Sequence, residues 1–320
     1  MARVACFINP GAVLADSIAL AARTDTLGYD SVWCTHGLGR DAFLVLAAYG
    51  AVARRVGLGS GVIPIYPRHP VLMAQEALTL ADISEGRLRL GIGVSHAPMV
   101  SHALGIDMGR PLDVMREYVT VLRAALTGKV KHAGARYRAS WQSGLPRLPE
   151  PPPIFLAGLG PKMLELSGEI ADGVVLWLCA PAYIRDVAVP AIRRGRTRAG
   201  KSLAGFEIVA AVPAALTVER APGVALFKSE LTRYLALPFY RFMLEQSGFG
   251  AEIAAYDRAP GPAAVPDRLA AGLGAIGDYR TIADFIAAHR EAGVTLPAVR
   301  PIAFPDAPHY LPTIEAASAC

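Results

Sequence analysis

Short runs in which apolar and polar positions alternate every second residue take turns along this chain with longer runs spaced every third or fourth. The first kind of spacing predicts strands and the second predicts helices. Residues 4–8 form an apolar strand that stops at the turn Asn9-Pro10-Gly11. Residues 12–27 have helical spacing, and Gly28 stands where a helix C-cap belongs. Residues 31–34 predict a second strand, closing on Thr35 and His36, and residues 41–53 a second helix. A third strand at 56–62 and a third helix at 70–84 follow, with Pro70 suited to a first helical turn. In the stretch EGRLRLGIGVSHAP (residues 85–98), Leu88, Leu90 and Ile92 alternate with Arg89, Gly91 and Gly93. The alternation then gives way to Val94, Ser95, His96, Ala97 and Pro98, where a proline stops any ladder. Residues 111–126 predict the fourth helix.

Residues 128–153 break this rhythm with a candidate hairpin around Arg136-Tyr137-Arg138 and a stiff, proline-rich connector. Alternation resumes with strands at 154–157, 173–178 and 206–212 and helices at 161–171 and 181–199, the latter kinked at Pro190. A long excursion, 213–266, includes an amphipathic aromatic-rich piece at 226–246. The last helix is expected at 281–292, and residues 294–302, carrying Pro297 and Pro301, make a poor strand by themselves. Strand-helix alternation implies parallel strands with right-handed crossovers. Eight such units exceed the six of an open doubly-wound sheet, and no GxGxxG follows the first strand. The expected fold is therefore α/β, a (β/α)8 barrel with insertions at about 128–153 and 213–266.

Composition narrows the picture further. The chain has 320 residues, 53% of them hydrophobic and 18% charged, enough for a large core and unlike a disordered chain. The net charge of +5 is spread along the sequence without the basic stripe and interleaved aromatics of a nucleic-acid binder. Cys6, Cys34, Cys179 and Cys320 have no metal-ligand or CxxC spacing. The opening MARVACFINPG has no signal-peptide apolar core, and no long uncharged apolar run suggests a membrane span. The expectation is a cytoplasmic protein acting on a small molecule, with neither a nucleic-acid nor a membrane partner.

If the barrel closes, four strand ends converge: Thr35-His36, Gly59-Ser60-Gly61-Val62, Gly93-Val94-Ser95-His96 and Ala157-Gly158-Leu159-Gly160-Pro161. Each mixes glycine with small polar groups, and glycine lets backbone N–H groups approach a ligand closely. The fourth cluster opens a helix, whose N-terminal N–H groups suit a phosphate. These are features of a flat cofactor's slot, and they suit a hydrolase poorly. His36 and His96 are candidates to donate to a ring heteroatom or a substrate carbonyl. Both equally suit ordinary hydrogen-bonded loop histidines. No carboxylate or cysteine lies at ligand spacing near either, so no metal site is expected. No GxSxG elbow is present, and Ser95 directly before His96 does not make a triad.

Residues 56–98, VGLGSGVIPIYPRHPVLMAQEALTLADISEGRLRLGIGVSHAP, resemble the signature region of the bacterial luciferase-like superfamily. GVSHAP followed by RPLDVMREYV (110–119) resembles the branch that uses the deazaflavin coenzyme F420. LAGLGPKMLELSGEIADGVV (156–175) is similar to the superfamily's phosphate-side motif, and YLALPFY (234–240) and DRLAAGLGAIGD (267–278) continue the likeness. The resemblance implies a barrel holding a deazaflavin or flavin ring across the carboxyl ends of its strands. It implies a non-proline cis peptide after the third strand, at Gly61–Val62, behind the ring. It places Val94, Ser95 and His96 along the cofactor, Ala157 to Pro161 on the phosphate side, and His36 beside the reactive ring atom. Members are often homodimers, though no interface can be read in this sequence.

The chain departs from the sugar-phosphate dehydrogenases of this family, having Thr35 and His96 where they carry an aspartate and a glutamate. That leaves proton delivery or removal to His36 or His96. Trp177 at a strand end, with the aromatic-rich excursion, suggests an apolar substrate pocket. The excursion equally suits a helix packed on the barrel or a dimer contact. The expected function is an F420-dependent oxidoreductase moving a hydride between the deazaflavin and an organic substrate. The alternatives are an FMN-dependent monooxygenase, a cofactor-binding protein without turnover, and a metal-dependent hydrolase.

Overall fold

The computed structural model describes residues 3–36, 39–145, 148–302, 304 and 310–320. Eight parallel strands close on themselves in chain order among these residues: β1 (Ala5–Ile8), β2 (Ser31–Cys34), β3 (Gly57–Ser60), β4 (Leu88–Gly93), β5 (Ile154–Ala157), β6 (Gly173–Leu176), β7 (Glu207–Leu216) and β8 (Leu296–Pro301). The ring is sealed where β8 pairs with β1, placing Ala5 opposite Ala298. Each parallel step needs a covering segment, and helices supply it. They are α1 (Leu14–Leu27), α2 (Ala42–Val52), α3 (Pro70–Ile83), α4 (Pro111–Leu126), α5 (Pro161–Ile170) and α6 (Val189–Arg198). The expected (β/α)8 barrel is the fold of the chain.

Between β7 and β8 lie α7 (Arg220–Leu235), α8 (Pro238–Gln246), α9 (Gly250–Asp257), α10 (Asp267–Leu273) and then α11 (Tyr279–Glu291). The final helix, α12 (Tyr310–Ala317), was not foreseen from the spacing. The excursion expected from 213 starts later, because β7 runs on to Leu216. Its last residues, Ala214 to Leu216, pair with a short strand, Ala275–Gly277, that no local pattern announces. The aromatic piece at 226–246 is two helices, since a proline at 238 pushes Leu237 out of the helical region and restarts the helix. Ahead of α6, residues Ile184–Ala188 form a π turn where a Pro190 kink was expected. The residues Lys129–Ala133 and Arg138–Gln142 form the expected antiparallel hairpin. The stretch 294–302 is a full barrel strand despite Pro297 and Pro301, because β7 and β1 pair along both its edges.

The barrel is filled, and its filling explains its glycines. Alternate residues point inward, and Phe7, Trp33 and Phe155 meet in the lumen with Val175, Val209, Ala211, Leu296 and Ala298. The Trp33 ring lies 5.8 Å from Phe7 and 5.5 Å, edge-on, from Phe155. These rings occupy the space that side chains on β3 and β6 would need. A Cβ on Gly59 would sit 2.2 Å from the Trp33 ring, one on Gly61 2.1 Å from Phe7, and one on Gly173 2.3 Å from Phe155. The side of Gly59 and Gly61 on which a side chain would stand therefore faces aromatic core residues, a packing demand for glycine that the sequence reading did not foresee. At the amino end, Arg3 and Arg89 pair with Asp30 and Glu207 and close the bottom of the cylinder. That leaves the carboxyl end of the strands as the candidate face for a site.

The lumen packing makes a direct prediction. Gly59→Ala forces a methyl into the fully buried Trp33 ring, which has no room to retreat. Overpacking of this kind costs about 1–3 kcal/mol, so the urea midpoint should fall; an unchanged midpoint contradicts the packing described.

Candidate active site

All the residues singled out from the sequence lie at the carboxyl ends of β2 to β6 or in the loops that follow, on one face of the barrel. Between β3 and β4 the chain bulges. The Gly61–Val62 peptide bond is cis, as the resemblance implies, after which Ile63 and Pro64 pair with Ile92 and Gly93 of β4. The inward positions at the ends of β3, β4 and β5 are Gly61, Gly93 and Ala157, which makes this wall almost bare of side chains. It is also tightly closed. A Cβ on Gly93 would meet Val62 at 2.8 Å and Ala157 at 3.1 Å. Val94 and Ser95 follow, with Ser95 in the left-handed region at φ 57. His96 then accepts the N–H groups of Met99 and Val100 on its carbonyl and starts a π-helical turn, Pro98–Ala103. A bare, flat wall of this kind fits a planar ring system. Gly158 and Leu159 lead into Gly160, which leaves α5 without a side-chain cap, and Pro161 occupies its first turn. The carbonyl of Leu159 is held by the Tyr183 hydroxyl.

Across the mouth stands an aromatic wall. Trp177 packs edge-on against Phe7 at 5.5 Å, and its Nε1–H donates to the Tyr234 hydroxyl at 2.8 Å. The Tyr234 ring lies 4.8 Å from Tyr240, which in turn lies 5.9 Å from His96. The Arg300 guanidinium covers Trp177 at 5.4 Å and pairs with Glu230 of α7 at 2.9 Å. Thus α7 and α8 contribute directly to the mouth. Tyr234 and Tyr240 were visible in the sequence as part of an aromatic run, but not as neighbours of Trp177 and His96. Arg300 was missed. Its signal was parity, since it shares the inward side of β8 with Leu296 and Ala298.

The two histidines differ. His36 is half-buried, and its Nδ1 accepts the N–H of Ala42, the first residue of α2, at 3.2 Å. A neutral imidazole accepting at Nδ1 carries its proton on Nε2. Burial lowers the His36 pKa below its ordinary value; the nearby Arg68 cation adds to this and Asp41 opposes it. His96 is exposed, and crowding by its neighbours lowers its pKa in a setting that solvent screens. The structure ties His36 to α2 and His96 to Tyr240. The Cys34 thiol, at the end of β2, is pushed up to about 12 by burial and is no nucleophile at neutral pH. Among the described residues, no group of three or more His, Cys, Asp or Glu could hold a metal ion, and no helix is long and apolar enough to cross a membrane.

A family model described as luciferase-like monooxygenase matches residues 1–296. The chain belongs to that family. It is 32% identical over 256 residues to a Mycobacterium tuberculosis protein carrying the provisional name coenzyme F420-dependent oxidoreductase, covering 73% of this chain and 71% of the relative. Among solved structures it is similar to the coenzyme F420-dependent tetrahydromethanopterin reductase of Methanopyrus kandleri, with a TM-score of 0.84 and 23% identity over 99% of this chain and 97% of that one. It is also similar to the oxygenating constituent of 3,6-diketocamphane monooxygenase from Pseudomonas putida, solved with FMN, with a TM-score of 0.74 and 18% identity over 99% and 97% of the two chains. The structural likenesses establish the luciferase-like barrel, a fold whose relatives hold F420 or FMN.

The histidines predict an acid-side loss of stability. His36 and the fully buried His289 both have pKa values held below 6.5, in each case chiefly by burial. As pH falls the unfolded chain takes up these protons first, so the stability they contribute is present above 6.5 and is lost below it. The melting temperature of this luciferase-like barrel should drop between about pH 7 and pH 5, where histidine is the side chain that titrates. The drop should be shallower in His289→Gln. An equal slope in that variant contradicts the assignment.

Proposed function

We propose that the protein is an F420-dependent oxidoreductase that transfers a hydride between the deazaflavin and an organic carbonyl or alcohol. The observation that carries this reading is the pairing of a bare wall, Gly61, Gly93 and Ala157, with a neutral His36 at the neighbouring strand end. The bare wall, Val62, Val94, Ser95 and His96 would hold the ring, and Ala157, Gly158, Leu159, Gly160 and Pro161 the phosphate side. When bound, the deazaflavin supplies a carbon that gives or accepts a hydride, chemistry that belongs to the cofactor. The chain's own part is to orient, to exclude water and to stabilise developing charge. With Nδ1 committed to Ala42, His36 presents Nε2–H as its donor, aimed to hydrogen-bond a carbonyl oxygen and stabilise the negative charge that develops on it. A neutral imidazole held at a helix N-terminus is well suited to polarise a carbonyl. His96 is the acid/base candidate, in contact with Tyr240. Trp177, fixed by Tyr234 and covered by Arg300, would form the substrate's apolar side. The name of the mycobacterial relative supports F420 over FMN.

Fluorescence titration of the apo-protein with F420 and with FMN tests the choice. Binding of F420 in the micromolar range, with FMN much weaker, is the expected result. Tight FMN with no F420 binding would make the protein a flavin monooxygenase instead. In the F420-loaded enzyme, His36→Gln should lower kcat by about 10²–10³-fold, the usual worth of one donor to a developing oxyanion, and leave F420 affinity unchanged. A kcat within a few-fold of the parent removes His36 from the chemistry.

A further inference from the structure

Arg68 lies in the turn between Ile63–Pro64 and α3, its backbone N–H donating to the Ile65 carbonyl at 3.2 Å. Its largely buried guanidinium pairs with Asp41, and its Nε lies 3.2 Å from Glu76 of α3. Asp41 is the N-cap of α2 and is fully engaged. One carboxylate oxygen accepts the N–H groups of Phe43 at 2.9 Å and Leu44 at 3.2 Å, and the other faces Arg68. The remaining first-turn N–H, that of Ala42, goes to His36 Nδ1. The start of α2 is therefore capped jointly by a carboxylate and an imidazole, and the same turn fixes both. The reading of the site given above leaves Arg68, Asp41 and Glu76 without a role.

We propose that Arg68 is a positioning residue: by pinning Asp41 to the first turn of α2, it keeps His36 a neutral ring with its proton on Nε2. The role in turnover rests on His36 being the donor to the carbonyl oxygen; the state of the ring does not. The charged groups facing His36 are Arg68 from the turn before α3 and Asp41 from the start of α2, and Glu76 holds Arg68 from behind. Without Arg68, the Asp41 carboxylate loses its counter-charge beside the imidazole and favours the imidazolium. A proton on Nδ1 then displaces the Ala42 N–H and opens the cap. Lysine keeps the charge but cannot span Asp41 and Glu76 with a planar fork.

The test is a histidine-ring NMR titration of the ¹⁵N-labelled apo-protein, with the His36 signals assigned by their loss in His36→Gln. The parent should show the Nε2–H tautomer at neutral pH. The His36 midpoint should move up in Arg68→Met and down in Asp41→Asn, and return toward the parent in the double variant. Arg68→Lys should lie between the parent and Arg68→Met. Opposite movements separate an electrostatic hold from simple loosening of α2, which would shift both variants in the same direction. Midpoints that stay put or move together, or an Nδ1–H tautomer in the parent, overturn the proposal. Should Arg68→Met fail to fold, the downward shift in Asp41→Asn and an upward shift from the parent in Arg68→Lys decide it. No coenzyme enters the experiment, so its outcome is independent of whether F420 or FMN is the cofactor.

Discussion

The close packing of Phe7, Trp33 and Phe155 inside the cylinder is the constraint on which the rest of the structure depends. An eight-stranded barrel has an interior just wide enough for side chains to fill. Three large rings in one lumen can be accommodated only if the strands facing them carry nothing, and Gly59, Gly61 and Gly173 meet that requirement. With the lumen plugged by rings and the amino end closed by Arg3, Asp30, Arg89 and Glu207, the carboxyl mouth is left as the candidate face for a site. Trp177 joins the two regions, because it touches Phe7 below and Tyr234 at the mouth.

The mouth is asymmetric. On the side of β3 to β5 it is made of backbone and small residues; on the side of β6 and β8 it is made of rings and a covered arginine. Helices α7 and α8 complete the second side, since Glu230, Tyr234 and Tyr240 all come from them. A barrel without that excursion would lack the partner of Arg300 and the hydrogen-bond acceptor of Trp177. The excursion is thus part of the candidate site, in addition to whatever else it covers. His36 stands apart from both walls in how it is held. Its geometry is set by α2, which also makes its protonation state a property of the helix start and of the charges around it.

Much of the architecture was legible in the spacing of apolar residues. The strands at 31–34 and 154–157 and the helix at 111–126 stand where the pattern puts them, because a buried strand or an amphipathic helix declares itself locally. The failures share one cause. β7 outruns its pattern because Ala275–Gly277 extends it, and β8 exists despite two prolines because neighbours pair along both its edges. Partners distant in sequence decided these elements, and local propensity is overridden by such pairing.

By itself, the sequence determined the alternation of strand and helix, the likeness to the luciferase-like family, and the set of small and polar residues that end the strands. These are local or linear properties, carried by the period of the chain and by contiguous motifs. Only the tertiary structure decided what those residues face. It packed Trp33 against Gly59 and Phe7 against Gly61, set Arg300 over Trp177, and gave His36 its tautomer through Ala42. Each of these depends on how far apart two strands or a strand and a helix come to lie once the ring closes, a distance that no stretch of sequence contains.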